Sequence, residues 1–159
     1  MLQETDVKET GGHLAPEQLV TVLVEGQLLG LPISRVHDVF AVQNLTVVPR
    51  SQAAVAGLVN LRGRVVTMLS LRVMLGFDQV KVEDGAMAVG IEWKDEALGL
   101  VVDEVGEVLE VERNAREIGP TNLDPRWSQI CAGIHKLEKG LLVEIDLSAL
   151  LERPLQNAA

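Results

Sequence analysis

Apolar residues in this chain come in short runs broken by Gly-, Asn- or charge-bearing turns. Leu19-Val20-Thr21-Val22-Leu23-Val24 is rich in β-branched residues and predicts a strand. Glu25-Gly26-Gln27 is turn chemistry, and Leu28-Leu29-Gly30-Leu31-Pro32-Ile33 predicts the returning strand. Pro32 has no N–H to give to a ladder, which puts that strand at an edge or ends it there. Val36, Val39, Phe40 and Val42, with Arg35, His37, Asp38 and Ala41 between them, fit a helical turn as well as a strand. Asn44 and Pro49-Arg50-Ser51 break the chain before Ala53. Residues 1 to about 17 are polar, carry Gly11-Gly12 and Pro16, and predict a disordered lead-in.

The run from Val55 to Leu71 reads as two apolar strands around a tight Asn60-Leu61-Arg62-Gly63 turn. Gly57 and Gly63 bracket it, where a backbone needs positive φ or close approach. Arg62 is out of place: a guanidinium in an apolar run either tops a hairpin in solvent or needs a partner. Leu71 to Leu75, stopped by Gly76, predicts a short helix, and Asp78 to Gly85 a charged loop.

The second half repeats the style. Ala86 to Trp93 predicts a strand, Lys94-Asp95-Glu96 its turn, and Ala97 to Val102 the return. Val105, Val108 and Val111 follow; Asn114 to Asn122 is loop-like. Ile130 to Ile134 and Leu141 to Leu147 close the set, with Ser148 as the expected N-cap of a last helical turn ended by Pro154. The halves are related. Gly30-Leu31-Pro32-Ile33 with Val36, Val39 and Val42 aligns without a gap on Gly99-Leu100-Val101-Val102 with Val105, Val108 and Val111. Gly57-Leu58 and Leu69-Ser70-Leu71 align, at a slightly longer offset, on Gly133-Ile134 and Ile145-Asp146-Leu147. Two copies of a unit this long suggest two similar β modules packed together rather than a solenoid.

The segment Gly57-Leu58-Val59-Asn60-Leu61-Arg62-Gly63, with Leu69-Ser70-Leu71-Arg72 beyond it, resembles the hallmark of the CheW family, the adaptors of bacterial chemosensory arrays. The resemblance covers about Leu19 to Leu151. In the second half it is carried by Leu98-Gly99-Leu100-Val101-Val102-Asp103-Glu104-Val105 and Gly140-Leu141-Leu142-Val143-Glu144-Ile145-Asp146-Leu147. Ser70 departs from it, standing where the family usually has Asp; Val22 and Leu29 stand where aromatics are frequent. The resemblance implies an all-β fold: two packed five-stranded SH3-like β-barrels with short helical turns. The domain would span residues 18–153, as halves of about 18–84 and 85–153 that exchange terminal strands.

It also implies a non-catalytic adaptor that couples methyl-accepting chemoreceptors to a CheA-like histidine kinase. An apolar groove between the barrels would take the receptor's hairpin tip, lined by Val36, Asp38, Arg62, Val105 and Val108. Gly57, Asn60 and Gly63 would hold the turn beside it, with Asp38 pairing to Arg62 to keep the groove's shape. Leu31 and Ile33 are the expected kinase-facing residues. A non-flagellar pathway such as twitching motility fits the departures equally. A double barrel that senses a small ligand or peptide is the alternative of another class.

Composition narrows the rest. The chain has 159 residues and a net charge of −9, which argues against nucleic acid. No apolar run reaches the ~18 residues of a membrane span. No signal peptide is evident at the N-terminus, and one cysteine, Cys131, forms no internal disulfide. The expected location is cytoplasmic, with recruitment to membrane-associated receptor arrays. Ser34, His37 and Asp38 hold triad residue types too close in sequence to converge on one atom. Cys131 and His135 are two ligands where zinc needs more, and Cys131 reads as a buried free thiol. Glu83-Asp84 and Asp95-Glu96 read as solvated turn charge. No Gly-rich phosphate loop is present. No cofactor and no metal are expected.

Overall fold

The apolar runs become ten strands and three short helices in a computed structural model that describes residues 16–78, 80–112 and 125–152. In chain order these are β1 (Glu17–Val24), β2 (Gln27–Pro32), β3 (Val36–Ala41), β4 (Val55–Leu61), β5 (Arg64–Ser70), α1 (Leu71–Met74), β6 (Met87–Trp93), β7 (Glu96–Val102), β8 (Glu104–Val111), α2 (Pro125–Ser128), β9 (Cys131–Leu137), β10 (Gly140–Ile145) and α3 (Leu147–Leu151), with a 3-10 turn over Ile33–Arg35. The expected tail, except its last two residues, and the expected loop at Asn114–Asn122 lie outside the described residues. Among the described residues no helix is long and apolar enough to cross a membrane.

The strands form two five-stranded sheets. Module A has the order β8-β1-β2-β10-β9, and module B the order β3-β6-β7-β5-β4. Pairing is antiparallel except for β2–β10 and β5–β7, which are parallel. Each module is an open, SH3-like barrel whose two edge strands share no ladder.

The repeat explains this order. Shifting β1, β2 and β3 onto β6, β7 and β8, and β4 and β5 onto β9 and β10, turns one sheet into the other. The registers match too: Val22 faces Val105 and Val20 faces Val108, as Ile91 faces Val36 and Val89 faces Val39. Each half has therefore given its first hairpin to the other half's sheet. Module B is the continuous stretch from β3 to β7, and module A joins β1–β2 to β8–β10. The division near residue 84 does not separate the modules, because β6 and β7 belong with β3–β5. Nor is β2 an edge strand: it lies between β1 and β10 and stops at Pro32, so the proline ends it without breaking a ladder.

Exchange gives the modules a common core. Val22, Leu29, Leu31, Ile134 and Val143 of module A pack in one cluster with Leu69, Val89, Ile91 and Leu100 of module B. Each module also fills its own interior. Leu19, Val111 and Leu142 do so in A; Val42, Val59, Val66, Met68 and Ala88 do so in B.

Local chemistry sets the connections. The β1–β2, β4–β5 and β6–β7 hairpins turn on two residues with φ positive at both: Glu25-Gly26 (51°, 78°), Arg62-Gly63 (55°, 82°) and Lys94-Asp95 (49°, 67°). Such mirror-image turns match the twist of the strands they join. Gly57 sits at φ 151° in a bulge of β4, where a side chain would run into the Thr46 carbonyl oxygen. The Ser70 hydroxyl accepts from Val73 N–H and caps α1; Asp146, its repeat partner, accepts from Ala149 N–H and caps α3. The last cap is thus Asp146, not Ser148, because α3 begins two residues earlier than its sequence suggests. Ser70 does the same work as an Asp would.

Candidate protein-docking surface

The segment left open between helix and strand is β3, an edge strand. Its side chains alternate inward and outward throughout, but Asp38 takes an inward position and Val39 an exposed one, which hides the period of two from the sequence; a bulge shifts its pairing between Val36 and Asp38. The bulge aims the Asp38 carboxylate across β6 at Gly90, where any side chain would collide with Asp38 Oδ1. Opposite, the Arg62-Gly63 turn lifts the Arg62 guanidinium over the same spot. Asn60 Oδ1 accepts from Gly63 N–H at 2.9 Å and holds the turn.

Arg62 Nη1 then lies 3.4 Å from Asp38 Oδ2. The expected pair exists, and it spans the gap between the β3 edge and the β4–β5 hairpin where no ladder runs. Arg62 is largely in solvent, so the pair is worth only ~0–1 kcal/mol. Beside it Arg64 Nη2 donates to Glu92 Oε2 at 2.8 Å, and His37 Nε2 lies 3.3 Å from Glu92 Oε1. The hydrogen bond from Arg64 holds the Glu92 carboxyl below its ordinary range, with His37 adding to the effect against some desolvation. Asp38 and His37 thus take different partners, and Ser34, His37 and Asp38 do not converge. These ionic groups rim a depression of about 180 Å³ in the mouth of module B.

Val36 and Val105 hold equivalent positions in the two modules; both are half-buried against the common core. Val108 lies on the edge strand of module A, opposite Val20, and is 47% exposed. Its repeat partner Val39 is 41% exposed, an apolar surface position that only the repeat points to. Ile33 is exposed at the start of the 3-10 turn. Leu31 is not: it is completely buried in the common core, since the strand that carries it is interior. Its side chain cannot face a kinase, contrary to the expectation from the sequence. The structure therefore unites Asp38 with Arg62, and seats Val36 and Val105 on one core.

A second ionic cluster ties the modules. Arg72 on α1 of module B donates from Nε and Nη2 to the two oxygens of Asp103, both at 2.9 Å, and from Nη1 to Glu25. Asp103 Oδ2 also accepts from Glu25 N–H at 2.9 Å, in the β1–β2 turn of module A. The Asp103 hydrogen bonds raise the Arg72 pKa further above an already high value. Inside module A, His135 Nε2 lies 2.8 Å from Glu144 Oε1, both side chains buried. Cys131 is half-buried and donates its thiol to the Gly133 carbonyl.

Comparison with known proteins places this architecture. The chemotaxis protein CheW of Bacillus subtilis is 27% identical over 143 residues, 90% of this chain and 92% of that protein. The chemotaxis protein CheW of Thermotoga maritima is 27% identical over 148 residues, 92% of this chain and 95% of that one. The crystal structure of the scaffolding protein CheW from Thermoanaerobacter tengcongensis superposes with a TM-score of 0.71 at 27% identity, covering 87% of this chain and 94% of that one. The family model described as CheW-like domain matches residues 18–155, and the chain belongs to that family.

Proposed function

We propose that this protein is a non-enzymatic chemotaxis scaffold that couples chemoreceptors to a CheA-type histidine kinase. The observation that carries the reading is the CheW-like match over residues 18–155. Support comes from the double-module architecture and from apolar side chains at its surface. Val36, Val105 and Val108 line the groove for the receptor's helical hairpin, a helix-in-groove mode of recognition. Asp38 and Arg62 stand at its margin and fix the Asn60–Gly63 turn. Ile33 faces the kinase. The protein works in the cytoplasm, at receptor arrays, by placing two partners relative to each other so that one biases the other's equilibrium.

The test is reconstitution with purified receptor signalling fragment and CheA-type kinase. Adding this chain should bring the two into one complex and change the kinase's autophosphorylation rate. Val108→Arg should abolish receptor binding and leave kinase binding intact. A chain that binds neither partner would overturn the reading.

A further inference from the structure

The two modules have one interior plan, yet they fill it differently. Three positions of module A carry Thr21, Leu28 and Leu142. Their repeat partners Gly90, Ala97 and Val66 are each smaller and line the mouth of module B; a fourth lining residue, Phe40, is larger than its partner Leu109. Leu19 and Leu142 are completely buried, so module A closes its own interior. Module B keeps the depression of about 180 Å³, with Phe40, Leu61, Val66 and Ala97 in its wall and Gly90 leaving room for Asp38. One module of the pair is therefore a filled control for the other.

The rim is layered. The guanidiniums of Arg62 and Arg64 are 76% and 54% exposed; the carboxylates they pair with, Asp38 and Glu92, are 30% and 42% exposed. In each pair the guanidinium is the more exposed partner. The long, exposed Arg62 contact is the one most readily given up to a new carboxylate. The hollow is below the roughly 300–1,000 Å³ of small-molecule sites and suits a single side chain.

We propose that the mouth of module B is a socket for one aliphatic side chain of a partner protein, presented next to an acidic residue that pairs with Arg62 or Arg64. This rests on the scaffold reading only in taking the occupant to be a protein. It adds a contact beside the Val36, Val105 and Val108 groove, sharing with it the Asp38–Arg62 pair at the margin.

The test needs only the full chain and short peptides. In 15N-labelled protein, N-acetyl-Leu-Glu-amide should shift the amides of Gly63, Gly90 and Ala97. N-acetyl-Ala-Glu-amide and N-acetyl-Leu-Lys-amide should bind at least about tenfold more weakly. The double variant Val66→Leu, Ala97→Leu, which installs module A's residues, should stay folded by its spectrum and lose the shifts. The milder Ala97→Val should lose part of them. No shift at these amides with the Leu-Glu peptide overturns the proposal, as do equal shifts with all three peptides or shifts that survive filling. Because neither receptor nor kinase is present, such a failure leaves the scaffold reading untouched, and failure to bind those partners leaves the socket untouched.

Discussion

Modules A and B are two solutions to one packing problem. Their strand orders are interchangeable and their bulges fall at equivalent places. At the bulge of module A, the Thr21 hydroxyl donates to the Glu107 carbonyl at 2.7 Å, a local backbone contact. At the bulge of module B, Gly90 leaves the space empty and the Asp38 side chain crosses it to reach Arg62. Module A has Glu107 and Glu138 where B has Asp38 and Arg62, two acids that form no such pair. Module A instead buries a polar pair, His135–Glu144, where B has Val59 and Met68. Duplicated backbones thus leave their interiors free to diverge: one toward a closed, internally bonded core, the other toward an open end ringed with charge.

The largest expected break in that contrast is Leu142→Ala in module A. It should cost ~2–5 kcal/mol in denaturant unfolding, because a completely buried leucine leaves a cavity. Val66→Ala in module B should cost clearly less, since fewer atoms are removed beside an existing hollow. Equal losses would mean the two interiors are packed alike. Next, His135→Ala should lose ~1–3 kcal/mol by removing a buried hydrogen-bond partner of Glu144. The double swap His135→Val, Glu144→Met, which copies module B, should recover most of that loss. If it does not, the pair contributes more than packing.

Arg72→Ala should come third, at about 1 kcal/mol, because it opens a bidentate, partly sheltered contact between modules. Arg62→Ala should fall nearer zero, being an exposed single contact within one module. A reversed ranking would make the mouth of module B, rather than the seam, the ionic support. The smallest effect concerns pH. Glu92 has its carboxyl pKa lowered in the folded protein, so its contribution is present above the unfolded value and fades as pH falls through the folded one. Carbon-13 titration of Glu92 should place it below an ordinary glutamate, and Arg64→Gln should move it back up. An unmoved titration would deny the Arg64 bond a role.

Much of this was legible in the chain. The strands and hairpins follow from β-branched runs and two-residue turns, and the repeat was visible from Gly30 and Gly99 onward. What the residues do not encode locally is which sheet a hairpin joins. β1–β2 would show the same alternation in either module, so the exchange and the interior place of Leu31 emerge only from long-range pairing. The Val36–Ala41 strand is ambiguous in sequence because its alternation places polar Asp38 inward and apolar Val39 outward, so hydrophobicity does not follow the period of two. The Asp38–Arg62 pair was readable from an isolated arginine in an apolar run. The hollow beside it was not. Gly90 and Ala97 look like ordinary small strand residues until each is set against Thr21 and Leu28. A lone glycine within a strand was the available signal of close approach.

The crossed hairpins have a corollary for ancestry and for engineering. A polypeptide of half this length, carrying one set of five strands, would build the same object as a homodimer by trading its first two strands with a twin. Fusing the twins end to end removes the need to meet a partner and lets each copy mutate alone. For the same reason, a protease nick between α1 and β6 should yield two pieces that stay interlocked, and neither piece should hold its shape once purified from the other.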